Sequence, residues 1–358
     1  MRILYGIQGT GNGHLARARA LVPALRERGL HLDFVLSGRD KQDYFNMELF
    51  DDYRCFRGLS LITERGRLRH WQTMRRNNGL RFLKDMQEIQ VGDYDLVISD
   101  FEPVTAWAAR RAGVRCIGIS HQNAFRFAVP KVRGYIGSRM ILNYFAPADI
   151  NLGLHWHHFN QSVLPPLIEP LESARVDGSK ILVYMGFEDV DDIIEFVKPF
   201  TEFNFLIYAR VAETREIGHV RVKPLSHSEF HADLTDCAGV ISNAGFELAS
   251  ECLALGKKLL VKPLAGQFEQ LSNALALQAL NRGTVIENLN CGLLEKWLQR
   301  PGFSAMPYPD VPAAIADWLA AGAEESPAKL ATGLWESMEM PVEYDRRFGR
   351  MLIPGLIS

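Results

Sequence analysis

Short continuous apolar runs alternate with helical patterns along this chain, twice over, and that alternation restricts the fold more than any other feature. In the first half the runs are Ile3 to Ile7 and Leu32 to Leu36, either side of a helix from about His14 to Arg28. The rhythm resumes with Leu96 to Ser99, a helix around Val104 to Ala112, and Val114 to Ile119. Runs that are apolar at successive positions suit strands covered on both faces, as in parallel sheets. A second series has strands at Lys180 to Tyr184, Phe203 to Tyr208, Gly239 to Ile241 and Lys258 to Val261. Its helices are expected at about Asp191 to Pro199, Phe246 to Leu255 and Gln270 to Asn281.

Between the two series, Ser162 to Gly178 carries three prolines and no periodicity, so it reads as a linker. At 358 residues the chain also exceeds what one ordinary core fills. The expectation is an α/β protein of two doubly wound parallel-sheet domains facing a cleft. The boundaries are read as 1–163, a linker over 164–178, and 179–330. Helices at Ala313 to Ala321 and Trp335 to Phe348 follow, the latter within a terminal segment 331–358 able to pack back on the first domain.

A near balance of 40 basic and 42 acidic residues gives no polyelectrolyte character, so nucleic acid is not an expected partner. Five dispersed cysteines, none in a C-x-x-C pair, indicate neither a disulfide framework nor a zinc knuckle. Together with the lack of a spanning or signal-like apolar stretch, this leads to the expectation of a cytoplasmic protein whose membrane contact, if any, is peripheral.

In open parallel sheets, ligands sit beyond the carboxyl ends of the strands. The first strand runs into Gln8-Gly9-Thr10-Gly11-Asn12-Gly13-His14 and then a helix. Gly11, Asn12 and Gly13 let the backbone approach a ligand, and the helix start offers unpaired N–H groups to a phosphate or oxyanion. The spacing is neither G-x-G-x-x-G nor a phosphate loop with its Lys-Ser/Thr pair, so dinucleotide and ATP binding lose their motif. His14 either takes a proton from an acceptor hydroxyl or packs at the turn. Asp100, and His121 with Gln122, follow other strands and would line the acceptor side; Asp100 and His121 are alternative bases.

In the second half, the run from Ile241 to Gly256 reads as a strand end, a turn at Gly245 and a helix stopped by Gly256. Glu251, six residues into that helix, can accept two ribose hydroxyls. Ser242, Asn243 and Phe246 flank the turn, and Gly186 and Phe187 end the first strand of this series. Gln267, Glu269 and Gln270 gather at another strand's carboxyl end, where sugar hydroxyls are read or where an ordinary polar loop lies.

The pattern S-x-A-G, Glu251 six residues after the glycine, Gly256 five later, Pro263 seven later, then the Gln/Glu loop and Asn273-Ala274, resembles the C-terminal domain of family 28 GT-B glycosyltransferases. That family includes the enzyme that adds N-acetylglucosamine to the peptidoglycan lipid intermediate. The GTGNGH loop is similar to the family's glycine loop ending in histidine. Asn243 stands where the family often has arginine. The resemblance implies a GT-B fold with Rossmann-like domains, a UDP-sugar donor, an inverting transfer of a hexose or N-acetylhexosamine, and neither metal nor cofactor. It implies Glu251 on the ribose, Ser242, Asn243 and Gly245 near the diphosphate, Gln267, Glu269 and Gln270 on the sugar, and His14 as base. The acceptor would be a glycan, a lipid-linked molecule or a small molecule. A nucleotide-sugar 2-epimerase and a non-catalytic sugar-nucleotide binding protein remain alternative readings.

Two further signals have plainer explanations. Asp189-Val190-Asp191 is a D-x-D, but it precedes an amphipathic run and reads as a helix start; His155, His157 and His158 lack an accompanying ligand pattern. The basic segment 65–84 holds Arg67, Arg69, Arg75 and Arg76 among apolar residues, and is either a solvated helix face or a surface for anionic lipid headgroups or a phosphorylated acceptor.

Overall fold

A computed structural model of the chain describes residues 1–59, 63–64, 67–68, 79–132, 138–172, 174–338 and 344. Its first sheet contains β1 (Arg2–Gln8), β2 (His31–Ser37), β3 (Arg54–Phe56), β6 (Leu96–Asp100), β7 (Cys116–Ser120) and β8 (Ile150–Gly153). The intervening β4 (Thr63–Glu64) and β5 (Arg67–Leu68) form a separate antiparallel pair. The second sheet contains β9 (Asp177–Tyr184), β10 (Asn204–Ala209), β11 (Arg215–Ile217), β12 (Val220–Pro224), β13 (Cys237–Asn243), β14 (Lys258–Lys262) and β15 (Thr284–Val285).

The strand orders are β3-β2-β1-β6-β7-β8 and β11-β12-β10-β9-β13-β14-β15. All pairings in the first sheet are parallel. In the second, only β11 against β12 is antiparallel. With that edge strand set aside, both sheets wind outward from their first strand and then reverse to add the remaining three on its other side. The two-domain α/β expectation therefore holds, and each sheet has its reversal point beside its first strand: between β1 and β6, and between β9 and β13.

Several elements escaped the sequence reading. Strands β3, β8, β12 and β15 are short or partly exposed edge and near-edge strands, whose apolar signal is correspondingly weak. Helix His227–Asp236 buries little beyond Leu234, so it shows almost no apolar stripe. At the carboxyl terminus the expected helix from Trp335 to Phe348 is corrected: the described helix is Pro327–Glu336, started by the Ser326 cap and Pro327. Most residues beyond 338 lie outside the described set, as does most of the basic segment 65–84; of its charged residues, Arg81 and Lys84 stand on helix Gly79–Glu88.

The chain's last helices return to the first domain. Val311–Ala320 packs on Asn12–Glu27, Arg28 Nε donates to Asp317 at 2.9 Å, and Trp335 Nε1 donates to the Val163 carbonyl at 2.6 Å. A buried aromatic column joins the two lobes: Phe246 stacks on His121 at 3.8 Å between ring centroids and on Trp156 at 5.0 Å. Trp156 is fully buried and donates from Nε1 to Ser250 Oγ at 2.8 Å.

Replacing Trp156 by Ala should cost about 3–5 kcal/mol, because the change leaves a cavity where the lobes meet and removes the donor to Ser250 Oγ, which keeps only its bond to the Phe246 carbonyl. Arg28→Ala removes only a solvated ion pair and should leave the melting temperature almost unchanged. Thermal unfolding of the two variants side by side checks this; equal losses would mean that the column does not join the lobes.

Candidate active site

The reversal point of the first sheet brings three segments together. Register pairs Ile7 of β1 with Asp100 of β6, so the glycine loop that leaves β1 begins beside the Asp100 carboxylate. Gly9 N is tied to the Ser37 carbonyl at 2.6 Å, and a Cβ on Gly9 would collide with the Tyr44 hydroxyl. After Asp100 the chain turns through Phe101 at φ +51°, a left-handed conformation costly for an aromatic residue. Stacking on Phe145 at 5.0 Å and the buried Glu102 cap hold it there. Glu102 accepts from Val104 N, Thr105 N and Ser37 Oγ at 2.8, 2.7 and 2.6 Å.

Gly11 and Gly245 have a distinctive role among the helix starts. Of the α-helices whose N-cap lies among the described residues, eight have a side-chain cap: Glu102, Ser120, Asp189, Ser226, Gln267, Asn290, Asp310 and Ser326. The two without one are Asn12–Glu27, which starts from Gly11, and Phe246–Leu255, which starts from Gly245. Neither glycine has any atom within 4 Å of where a Cβ would stand. Gly245 has φ −72°, so its backbone does not require glycine; what glycine supplies there is open space before uncapped amides. Asp189, by contrast, accepts from Asp191 N at 2.9 Å, and the D-x-D is a helix cap as its composition indicated.

His14 and Arg17 lie on one face of helix Asn12–Glu27, three residues apart. His14 Nδ1 is 2.8 Å from Asp100 Oδ1. Arg17 donates from Nε to Asp100 Oδ2 at 2.9 Å and from Nη2 to Oδ1 at 2.7 Å, while its Nη1 donates to Glu247 Oε1 of the other lobe. Arg17 Nη2 also lies 2.8 Å from His14 Nδ1, because both groups converge on Oδ1. An ionised carboxylate only accepts, so the tautomer that satisfies Asp100 has its proton on Nδ1 and its lone pair on Nε2. That is the arrangement of a general base.

Charges in this cluster are strongly coupled. Burial raises the Asp100 pKa, but Arg17 and His14 outweigh it and hold the group below its ordinary value. Burial likewise works against a charged Arg17, yet Asp100 and Glu247 keep it protonated. Glu247 goes the other way: burial, opposed by Arg17 and reinforced by Asp100 and Glu251, pushes it up to about 8. Its Oε2 has no hydrogen-bond partner, and a Cβ on Gly13 would stand 3.1 Å from its Cγ. The glycine loop and helix Phe246–Leu255 therefore meet closely, with a half-satisfied carboxyl between them.

The remaining anticipated residues divide between cleft and scaffold. Asn12 Nδ2 donates to Tyr184 Oη at 3.0 Å, at the carboxyl end of β9 and just before Gly186 and Phe187, which are exposed. Ser242 is buried with an unpartnered Oγ. Asn243 donates to the Lys262 carbonyl at 3.1 Å. Glu251 is buried, its Oε1 3.5 Å from His231 Nε2. Gln267 caps its helix, and Gln270 accepts from Leu264 N at 2.9 Å, so both side chains shape the loop itself.

His121 and Gln122 bind the other lobe in this structure. His121 is fully buried, with Nδ1 2.8 Å from the Leu154 carbonyl and Nε2 2.6 Å from Asn273 Oδ1; Gln122 donates to Glu269 Oε2 at 2.9 Å. Both ring nitrogens of His121 are engaged, which leaves His14 the better placed imidazole for proton transfer. Arg17 and Glu247 were missed in the sequence. Arg17 shares the i, i+3 face with His14, and Glu247 sits in the first turn after the glycine cap, so spacing carried a signal for each.

Comparison with known proteins agrees with this architecture. Residues 1–301 match the model of glycosyl transferase family 1. No curated protein matches the chain at a significant level. Among solved structures, glycosyltransferase SsfS6 from Streptomyces sp. SF2575, complexed with thymidine diphosphate, is 13% identical with TM-score 0.58, over 94% of this chain and 99% of that one. LpCGTa in complex with UDP is 14% identical with TM-score 0.56, over 94% and 98%. MurG from Acinetobacter baumannii is 13% identical with TM-score 0.50, over 94% and 99%. The fold is thus GT-B.

Glu247 gives this site a pH signature. Its carboxyl is raised from 4.5 in the folded protein, so the stability held by its proton is complete below pH 4.5 and is lost as pH rises through about 8. Glu247→Gln cannot lose that proton. Its melting temperature should gain on the native protein by about 2 °C or more between pH 5 and 8 and then run parallel. A pH-independent difference between the two melting curves would contradict the shifted carboxyl.

Proposed function

The chain belongs to glycosyl transferase family 1, and from that premise we propose that it is a family-28-like enzyme that moves a hexose or N-acetylhexosamine from a UDP-sugar to an acceptor hydroxyl. The transfer inverts the anomeric carbon and needs no metal. The observation that carries the reading is the His14–Asp100 pair standing between the uncapped amino ends of two helices from opposite lobes.

In this mechanism His14 Nε2 takes the acceptor's hydroxyl proton while the acceptor oxygen bonds to the anomeric carbon. The anomeric bond to the diphosphate breaks on the opposite face, and its electron pair leaves with the nucleotide. Asp100 holds the imidazole in its Nδ1-protonated form and stabilises the imidazolium that results. Arg17 keeps Asp100 ionised, so it acts through the base and is a positioning residue. The amides after Gly245 receive the diphosphate charge, and Ser242 and Asn243 stand beside them. Glu251 accepts the ribose hydroxyls; Gly186, Phe187 and Glu269 border the sugar. The acceptor, whether glycan, lipid-linked or small molecule, enters past Asn12 from the first lobe. Closure of the lobes excludes water before transfer.

SsfS6 and LpCGTa bound nucleoside diphosphates, which supports a nucleotide-sugar donor for a chain of this fold. Uridine selectivity is our reading from the sequence pattern. A thermal-shift screen should therefore single out uridine nucleotides, since ligand at 100 times its Kd stabilises by about 2.7 kcal/mol. Glu251→Ala should lose most of that shift. With an acceptor in hand, His14→Ala should lower kcat by about 10²- to 10⁴-fold with donor KM nearly unchanged. An unaltered kcat would remove His14 as base, and turnover of the sugar nucleotide without any acceptor would point to epimerisation.

A further inference from the structure

One helical turn beyond Glu247, where Glu251 of helix Phe246–Leu255 faces His231, lies a group that the transfer reaction does not require. We propose that Glu169, His227 and His231 form a divalent-cation site of the zinc class, with Glu251 as the adjoining carboxylate.

Local sequence explains how the groups meet. Ser226 caps helix His227–Asp236, so His227 and His231 stand four residues apart on one face, with ring centroids 4.3 Å apart. Glu169 comes from the segment that joins the lobes, and its Oε1 lies 3.1 Å from His227 Nε2. His231 Nε2 is 3.5 Å from Glu251 Oε1. The donor atoms of Glu169, His227 and His231 all lie within 4.8 Å of one another. Bonds of about 2.0–2.1 Å in a tetrahedral zinc site put neighbouring ligand atoms about 3.3 Å apart. Glu169 Oε1 and His227 Nε2, at 3.1 Å, stand close to that separation, and His231 joins them within 4.8 Å, so an ion draws the three donors together by side-chain rotation.

The donor chemistry favours zinc among common divalent ions. Two imidazole nitrogens and carboxylate oxygen suit a borderline ion, whereas magnesium and calcium take oxygen sets. All three side chains are half-buried, which limits the rotamer freedom lost on binding, and His231 borders a surface cavity of about 300 Å³ that also touches Pro170 and Glu172. Among the described residues this is the group of histidine, cysteine and acid side chains whose donor atoms converge in this way. An H-x-x-x-H spacing in His227-Ser228-Glu229-Phe230-His231 was present in the sequence; the third ligand, Glu169 from the linker itself, was not visible there.

Coupling to the donor follows, and this second step rests on the transferase reading. A cation on His231 draws in Glu251, the carboxylate assigned to the ribose, so cation and nucleotide compete. Binding also ties the interlobe segment to the second domain.

The test uses the full chain, stripped with a chelator and carrying Cys291→Ser to remove an exposed thiol. Zinc titrated calorimetrically should bind one per chain, and cobalt should give the visible absorption of a tetrahedral site. His227→Ala and His231→Ala should each weaken zinc at least about tenfold, with circular dichroism confirming their fold. Equal zinc affinity in the native protein and the double variant, or an adventitious site elsewhere that survives it, overturns the proposal, as does weak binding with no cobalt spectrum, which would mean an ion-pair cluster only. In a second arm, zinc should shrink the thermal shift from uridine diphosphate in the native protein and leave it unchanged in His227→Ala. A shift indifferent to zinc overturns the coupling. Absence of any nucleotide shift, read without zinc, is the separate failure of the donor assignment.

Discussion

One buried guanidinium organises this protein. Arg17 answers both oxygens of Asp100 in its own lobe and reaches Glu247 in the other. Burying a charge of this kind is tolerable only when its partners supply geometry and hydrogen bonds together, and removal of one partner typically costs about 3–5 kcal/mol. The same side chain therefore does two jobs: it sets the ionisation of the carboxylate behind His14, and it links the lobes at the point where the glycine loop meets helix Phe246–Leu255. Burial, reinforced by the charges of Asp100 and Glu251, raises the Glu247 pKa to about 8, so a proton can reside there near neutrality.

Around that link the fold supplies open space. Eight helices among those with described N-caps have a side-chain cap; the two that open on the cleft start from glycine and have none. The absence of a side-chain cap at these two ends is the feature on which the proposed diphosphate site rests. Both sheets reverse their winding beside their first strand, which brings those ends to the same cleft. The aromatic column of His121, Phe246 and Trp156 then fixes the approach of the lobes by dispersion and stacking, independent of charge. His121 and Gln122 stand at the ends of strands, where cleft residues are sought, yet in this structure they are spent on holding the lobes together.

Much of the architecture was legible because its signals are local. Continuous apolar runs in β1, β6, β9, β13 and β14 report burial on both faces, and Gly256 at φ +69° ends its helix as a left-handed cap. The glycine loop and the helix start that carry His14 were legible because they are contiguous in sequence. Helix His227–Asp236 was not, since it buries too few side chains to impose a period, and strand β12 was not, since its alternation is confined to Val220 and Val222. The terminal helix was expected from Trp335 onward, whereas the Ser326 cap and Pro327 start it at Pro327 and it ends at Glu336.

What the sequence by itself determined is whatever depends on neighbours along the chain: two wound α/β series, a glycine loop ending in histidine, and a carboxylate two turns into a glycine-started helix. Only the tertiary structure decided which groups share a charge. Arg17 to Glu247 spans two domains, Glu169 of the linker meets His227 of the second, and His121 closes on Asn273. Such pairings arise from how the two sheets are set against each other, and Coulomb and hydrogen-bond energies depend on distance in space, for which separation along the chain carries no information.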